Sequence, residues 1–134
     1  ETVVRPQLTV GVYKTPDPDP PKLETRIEAL LNRRTLRWAW GGGAAAMRLT
    51  RFYRGPETRL HVERLPPRFL EELRAIPARE GNLTILREPG TVAFDGAQPQ
   101  TVHPLLVFAE LHLTGDERER ETAEDIRSKY LHYL

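Results

Sequence analysis

Leu36 to Glu63 reads LRWAWGGGAAAMRLTRFYRGPETRLHVE, and the fold depends on how this stretch divides. Leu36, Trp38 and Trp40 alternate with Arg37 and Ala39, which predicts a strand with one aromatic face. Gly41, Gly42 and Gly43 form the turn out of it. Ala44 to Arg51 is expected to be helical, because alanine has the highest intrinsic helix propensity and small side chains let a helix approach a sheet. Phe52, Tyr53 and Arg54 lead into a Gly55-Pro56 break. Thr58, Leu60 and Val62 then alternate with Arg59, His61 and Glu63 as a second strand.

Upstream, Thr2 to Tyr13 reads as one or two strands, with Leu8, Val10 and Val12 repeating in period two and Pro6 marking an edge or bulge. Thr15 to Pro21 (TPDPDPP) is a stiff extended connector. It delivers the chain to a helix beginning near Lys22, whose Leu23, Ile27, Leu30 and Leu31 form one apolar stripe. Downstream, Pro66-Pro67 opens a helix, a place where the missing proline N–H costs nothing. Phe69, Leu70, Leu73 and Ile76 are expected on its buried side, with Pro77 as its stop. Asn82 to Arg87 and Thr91 to Phe94 read as short strands. Val102 to Leu113 is apolar nearly all round, the pattern of a central buried helix. Gly115 is placed to supply a left-handed C-cap, and Asp116 with Glu119 resembles a capping box for a last helix. That helix would bury Ala123, Ile126, Tyr130 and Leu134 and pair Asp125 with Lys129 across one turn.

The order of elements predicts a single α+β domain over residues 1–134: small mixed sheet packed with about five helices. Within it, 1–21 is a strand region and proline-rich connector, 22–101 an α/β core and 102–134 a C-terminal helical pair. A chain of 134 residues buries a real core without staples, and 39% hydrophobic with 29% charged residues is a globular composition. Apolar runs are far shorter than the roughly 20 residues that span a bilayer, so no membrane role is expected. Without cysteine, disulfides, thiol nucleophiles and thiolate metal sites are excluded, and a cytoplasmic location is the expectation. The chain opens on Glu1 in mid-strand, with no secretory leader, which leads us to expect an upstream domain. Residues 1–64 carry 12 basic and 7 acidic groups and residues 65–134 carry 8 and 12. Because 17 of the 20 cations are arginine, compositional bias explains this asymmetry more simply than a dedicated basic face.

The glycine run stands between a strand and a helix, where backbone N–H groups can cradle a phosphate. It fits neither G-x-x-x-x-G-K-[ST] nor G-x-G-x-x-G. Its spacing is similar to that of minimal nucleotidyltransferases, which place Gly-Gly or Gly-Ser at a helix mouth and a D-x-D carboxylate pair on the following strand. Here His61-Val62-Glu63 stands in that place, and alternation would put both polar side chains on one face. One carboxylate and one imidazole do not make a two-metal site. Gly41, Gly42, Gly43, His61 and Glu63 are therefore candidates for a vestigial nucleotide or magnesium site, with no cofactor and no catalytic residue expected; the plain alternative makes His61 and Glu63 the solvated face of a half-buried strand. His61, His103, His112 and His132 show no metal-ligand spacing, and Ser128 is in no nucleophile elbow. Glu110, within an apolar helix, is a candidate buried acid, although such a residue is more often paired or reaches outward. Arg48, Arg51, Arg54 and Arg59, interleaved with Phe52 and Tyr53, form the best candidate nucleic-acid patch, with guanidinium forks for phosphates and rings for bases.

The ending HPLLVFAELHLTGDERERETAEDIRSKYL (His103 to Leu131) resembles the closing signature of AbiEi-type antitoxins of type IV toxin–antitoxin systems. WAWGGGAAAMRLTRFYRGPETRLHVE, GNLTILRE and the opening VVRPQLTVGVYK are similar to that family's middle and junction blocks. The resemblance implies a bacterial antitoxin and transcriptional repressor connected with phage defence. A winged helix would bind operator DNA, and a non-enzymatic domain would oppose a nucleotidyltransferase toxin. The winged helix has no counterpart in this chain, so operator binding is expected of the missing module. Two further readings stay open: a nucleotidyltransferase-like domain retaining nucleotide or magnesium binding, and an RNA- or DNA-binding module using the arginine patch.

Overall fold

A computed structural model describes residues 9–17, 19–33, 36–50, 57–87, 94, 96, 100–114 and 117–131. The first strand, β1 (Thr9–Lys14), is followed by helix α1 (Pro20–Leu31). Pro20 and Pro21 start α1 where no N–H is required, and the Asp19 carbonyl accepts from the N–H groups of Lys22 and Leu23, both at 3.1 Å. Leu23, Ile27 and Leu31 are buried on one stripe, as their spacing predicts.

Strand β2 (Trp38–Gly41) runs directly into helix α2 (Gly42–Thr50), and β3 (Thr58–Val62) follows. The glycine run is thus not a loop: Gly41 closes the strand and Gly42 already opens the helix. Helix α3 (Phe69–Leu73), strand β4 (Ile76–Pro77), strand β5 (Leu83–Arg87), helix α4 (Pro104–Thr114) and helix α5 (Glu117–Tyr130) complete the described elements. The chain is α+β, with one mixed five-stranded sheet and five helices among the described residues.

The strand order is β2-β3-β5-β1-β4, parallel between β3 and β5 and antiparallel elsewhere. Register sorts the side chains. Trp38 faces Val62 and Trp40 faces Leu60, while Ala39 faces His61 and Gly41 faces Arg59. Cross-strand partners share a face, so the tryptophans lie with Leu60 and Val62, and His61 lies on the other side with Arg59. Leu83, Ile85 and Tyr13 extend the tryptophan face across the sheet through their pairings. The N–H of Trp40 donates to the Gln100 carbonyl at 2.7 Å and the N–H of Val102 to the Trp40 carbonyl at 2.9 Å, so residues 100–102 cover the outer edge of β2.

Trp40 is fully buried and packs edge-on against Trp38, with ring centroids 5.5 Å apart. Its indole N–H reaches Glu28 of α1 at 3.3 Å, and the Arg48 guanidinium of α2 stacks 5.3 Å from its ring centroid. Arg48 also bridges to Glu24 at 2.9 Å. Helix α1 therefore covers the tryptophan face. Leu23, Ile27, Leu31, Leu60, Phe69, Leu73, Leu83, Ile85 and Ile126 join these tryptophans in one contiguous core. Each such large side chain contributes roughly 1.5–3 kcal/mol through apolar burial.

Four local expectations are corrected. A register shift between Thr9 and Gly11 makes Tyr13 a core residue, at 7% exposure, and leaves Val12 half-buried. Helix α3 stops after five residues because Arg74 adopts a left-handed conformation (φ 58°), and the N–H of Ala75 closes back on the Leu70 carbonyl at 2.9 Å. Ile76 is consequently not on a buried helical face but 64% exposed on the edge strand β4. Lys129 turns away from Asp125 and donates to the Leu49 carbonyl at 3.2 Å, beside the Tyr130 hydroxyl on the same oxygen at 3.0 Å. An internal carbonyl that needs donors outweighs a solvent-exposed ion pair. The expected strand at Thr91 to Ala93, the cap at Gly115 and Asp116, and Leu134 lie outside the described residues, and Phe94 sits in a 3₁₀ turn.

Candidate functional site

At the exit of β2 the chain must turn into α2 against a neighbouring strand; space favours glycine at Gly41, and backbone conformation favours it at Gly42. A Cβ on Gly41 would stand 2.6 Å from His61 Nε2 and 2.8 Å from Glu110 Oε1. Gly42 has φ +50°, and a Cβ there would press 3.2 Å from the Arg59 Cβ.

Into this turn projects the carboxylate of Glu110, from the middle of α4. Its Oε1 accepts the Gly42 N–H at 2.8 Å, and its Oε2 lies 2.8 Å from His61 Nε2. An ionised carboxylate only accepts, so the hydrogen of the second bond rests on Nε2. The Arg59 guanidinium approaches the same Oε2 at 3.7 Å and reaches Glu57 Oε1 at 3.5 Å. Glu57 in turn accepts from the Thr84 hydroxyl on β5. The side chains of His61 and Glu110 are 1% and 8% exposed. A backbone N–H at a helix N-terminus, an imidazole and a guanidinium thus converge on one buried anion, and the protein supplies that anion itself.

The structure brings Gly41, Gly42 and His61 together, as the spacing suggested, but it separates Glu63 from them. Glu63 lies past the last residue of β3. Its Oε1 accepts from the Arg37 N–H at 2.8 Å, and its Oε2 accepts from Arg64 at 3.1 Å. Nor is His61 on a solvated face, since α4 covers it. The β3 positions that actually meet the glycine turn are Arg59 and His61, a cation and an imidazole where a metal-dependent nucleotidyltransferase would need two carboxylates. Among the described residues no cluster of three or more histidine, aspartate or glutamate side chains could hold a metal ion. Three surface depressions are lined by Gly11, Tyr13 and Arg79, by Asp17 and Arg26, and by Arg37 and Trp38 with their neighbours; none of the three includes Gly42, His61 or Glu110.

Two members of the arginine patch are engaged internally. Arg48 lies between Trp40, Glu24 and Glu28, and Arg59 is bound to the Glu57 and Glu110 carboxylates. Arg51, Phe52, Tyr53 and Arg54 lie outside the described residues. The residue that sequence reading left apart from this site is Glu110. Its signal was present: it is the sole acid in an otherwise apolar helix, and such a charge needs a partner. No helix among the described residues is long and apolar enough to cross a membrane.

Residues 2–132 match the family model described as transcriptional regulator, AbiEi antitoxin, type IV toxin–antitoxin system. Neither the curated proteins nor the solved structures yield a match. A match over nearly the whole chain carries the assignment: the chain belongs to the AbiEi family of type IV antitoxin transcriptional regulators.

Proposed function

We propose that this domain is non-catalytic and acts by macromolecular interaction, opposing a toxin of the nucleotidyltransferase class. The observation that carries this reading is the occupancy of the glycine turn. The N–H that would hold a phosphate is spent on Glu110, and the strand facing the turn offers Arg59 and His61 rather than a carboxylate pair. The family's description as an antitoxin regulator supports the same conclusion. Contact with operator DNA belongs, in this reading, to the winged-helix module expected of the whole protein.

Two measurements test it together. Co-expression with a nucleotidyltransferase toxin of a type IV system should relieve the toxin's growth arrest. Incubation with magnesium, each nucleoside triphosphate and tRNA should transfer no label, and the melting midpoint should not move with nucleotide. Label transfer that disappears on His61→Ala or Glu110→Gln would replace the antitoxin reading with an enzymatic one.

A further inference from the structure

The sheet ends on β4, and this edge combines features that its own packing does not explain. Ile76 is 64% exposed, beside Lys14 as its cross-strand partner and next to Pro77. Where β4 stops, a depression continues along β1, lined by Gly11, Val12, Tyr13, Pro77, Ala78 and Arg79. Its wall is held firmly. The Ala78 N–H bonds to the Val12 carbonyl at 3.1 Å, and Gly81 packs so closely on the Tyr13 carbonyl that no side chain fits there. Asn82 ties the loop to the connector by bonds to Thr15 at 2.8 and 2.9 Å and to the Asp17 carbonyl at 2.9 Å.

Around the isoleucine stand Lys14, Arg74 and Arg79, all exposed, and none of the three has a carboxylate partner among the described residues. Arg74 is the telling one. It occupies the left-handed position after α3 (φ 58°), where glycine is the unstrained choice and a Cβ is a liability. An arginine held at a cost to the backbone, with its guanidinium in solvent, contributes nothing to the fold that glycine would not do better. Arg68 and Gln100 also take positive φ, but Arg68 pairs with Glu71, whereas the Arg74 charge is left for a partner outside the described chain.

We propose that the β1–β4 edge is a docking surface for an acidic segment of a protein partner, anchored by an aliphatic side chain. The anchor packs on Ile76 and the groove beside Tyr13, and flanking carboxylates meet Lys14, Arg74 and Arg79. An apolar centre within a polar, solvent-exposed rim is the anatomy of a protein interface, and Lys14, Arg74 and Arg79 in this rim favour an acidic partner. A single-stranded nucleic acid would add exposed aromatic platforms, and the one aromatic ring in the groove, Tyr13, is 7% exposed; a DNA-duplex titration addresses phosphate contacts. Lysine, proline and shortness alone would also guard an edge, but an exposed isoleucine does the opposite.

The test is an amide-shift titration of the ¹⁵N-labelled chain with an acetylated, amidated Glu-Glu-Leu-Glu-Glu peptide. Serine-for-leucine and DNA-duplex arms run in parallel. Saturable shifts are expected at Gly11 to Lys14 and Arg74 to Arg79, several-fold weaker with the serine peptide and abolished by Arg79→Glu. Arg74→Gly should melt at a higher temperature and bind the leucine peptide more weakly, a split that a purely structural role would not produce. The proposal is overturned if the edge amides show no saturable shift, if both peptides bind alike, if the duplex moves these amides instead, or if Arg74→Gly binds as tightly as the native chain.

Discussion

At the residue scale the molecule's least replaceable group is Glu110, because two donors from two other elements depend on its carboxylate. Removing it strands the Gly42 N–H and leaves His61 Nε2 without its acceptor in a site closed to water. Glu110→Ala is therefore expected to cost roughly 1–3 kcal/mol for each stranded donor in urea denaturation, the usual penalty for a buried polar group left without its hydrogen bond. His61→Phe combined with Glu110→Leu should cost clearly less than the sum of the two single changes. Additivity in that double-mutant cycle would show the two side chains to be independent. Gly41→Ala collides with the same pair. A shift of Gly41→Ala by about 1–3 kcal/mol towards unfolding is the expected outcome, the usual penalty for overpacking. Alternation in the sequence placed His61 and Glu63 together; in space the polar neighbour of His61 across the turn is Arg59, one step earlier on the same face. The distinction escaped sequence reading because period two identifies a face but not which end of it meets the glycines.

Among the elements, α3 shows how a helix can be legible in its buried face and misread in its bounds. The Phe69–Leu73 spacing predicts it, and both Phe69 and Leu73 are buried, but Pro66-Pro67 do not open it: the helix begins at Phe69 after a left-handed Arg68 (φ 65°). Its termination is a backbone event at Arg74, and arginine carries no signal for a left-handed cap. Arg74→Gly should therefore stabilise the protein by about 1 kcal/mol, read as a raised melting midpoint. On α5, Tyr130 and Lys129 both donate to the Leu49 carbonyl in the last turn of α2, where helix carbonyls need partners from outside the helix. Tyr130→Phe removes the shorter of the two bonds and should cost about 1 kcal/mol in thermal denaturation, close to an average net hydrogen bond. Helix α4 was legible as a helix but not in its burial: Val107, Glu110 and Leu111 are buried, whereas Leu105 is 46% exposed and His112 is exposed, so an all-round apolar run does not say which side meets the sheet.

For the molecule as a whole, the sheet order sets a gradient of protection. Strands β3 and β5 lie inside the sheet, pair in parallel and contribute Leu60, Val62, Leu83 and Ile85 to the core. Their amides should exchange slowest in native-state hydrogen exchange, and the one amide of the edge strand β4, at Ile76, fastest. Faster exchange in β5 than in β4 would contradict the strand order. The sequence by itself determined the alternation of strands and helices, the proline-started α1, the aromatic strand and the apolar α4, and its family blocks pointed to the antitoxin regulators. These are local properties: periodicity and turn chemistry act over a few residues, and the composition of each segment decides them. Only the tertiary structure decided that α4 lies over His61 and that Glu110, 68 residues beyond Gly42, fills the glycine turn. A buried carboxylate must find donors, but desolvation specifies only that a partner exists. Which donor answers is settled by the packing of α4 against the sheet, and that packing turned a phosphate-like cradle into an internal bond.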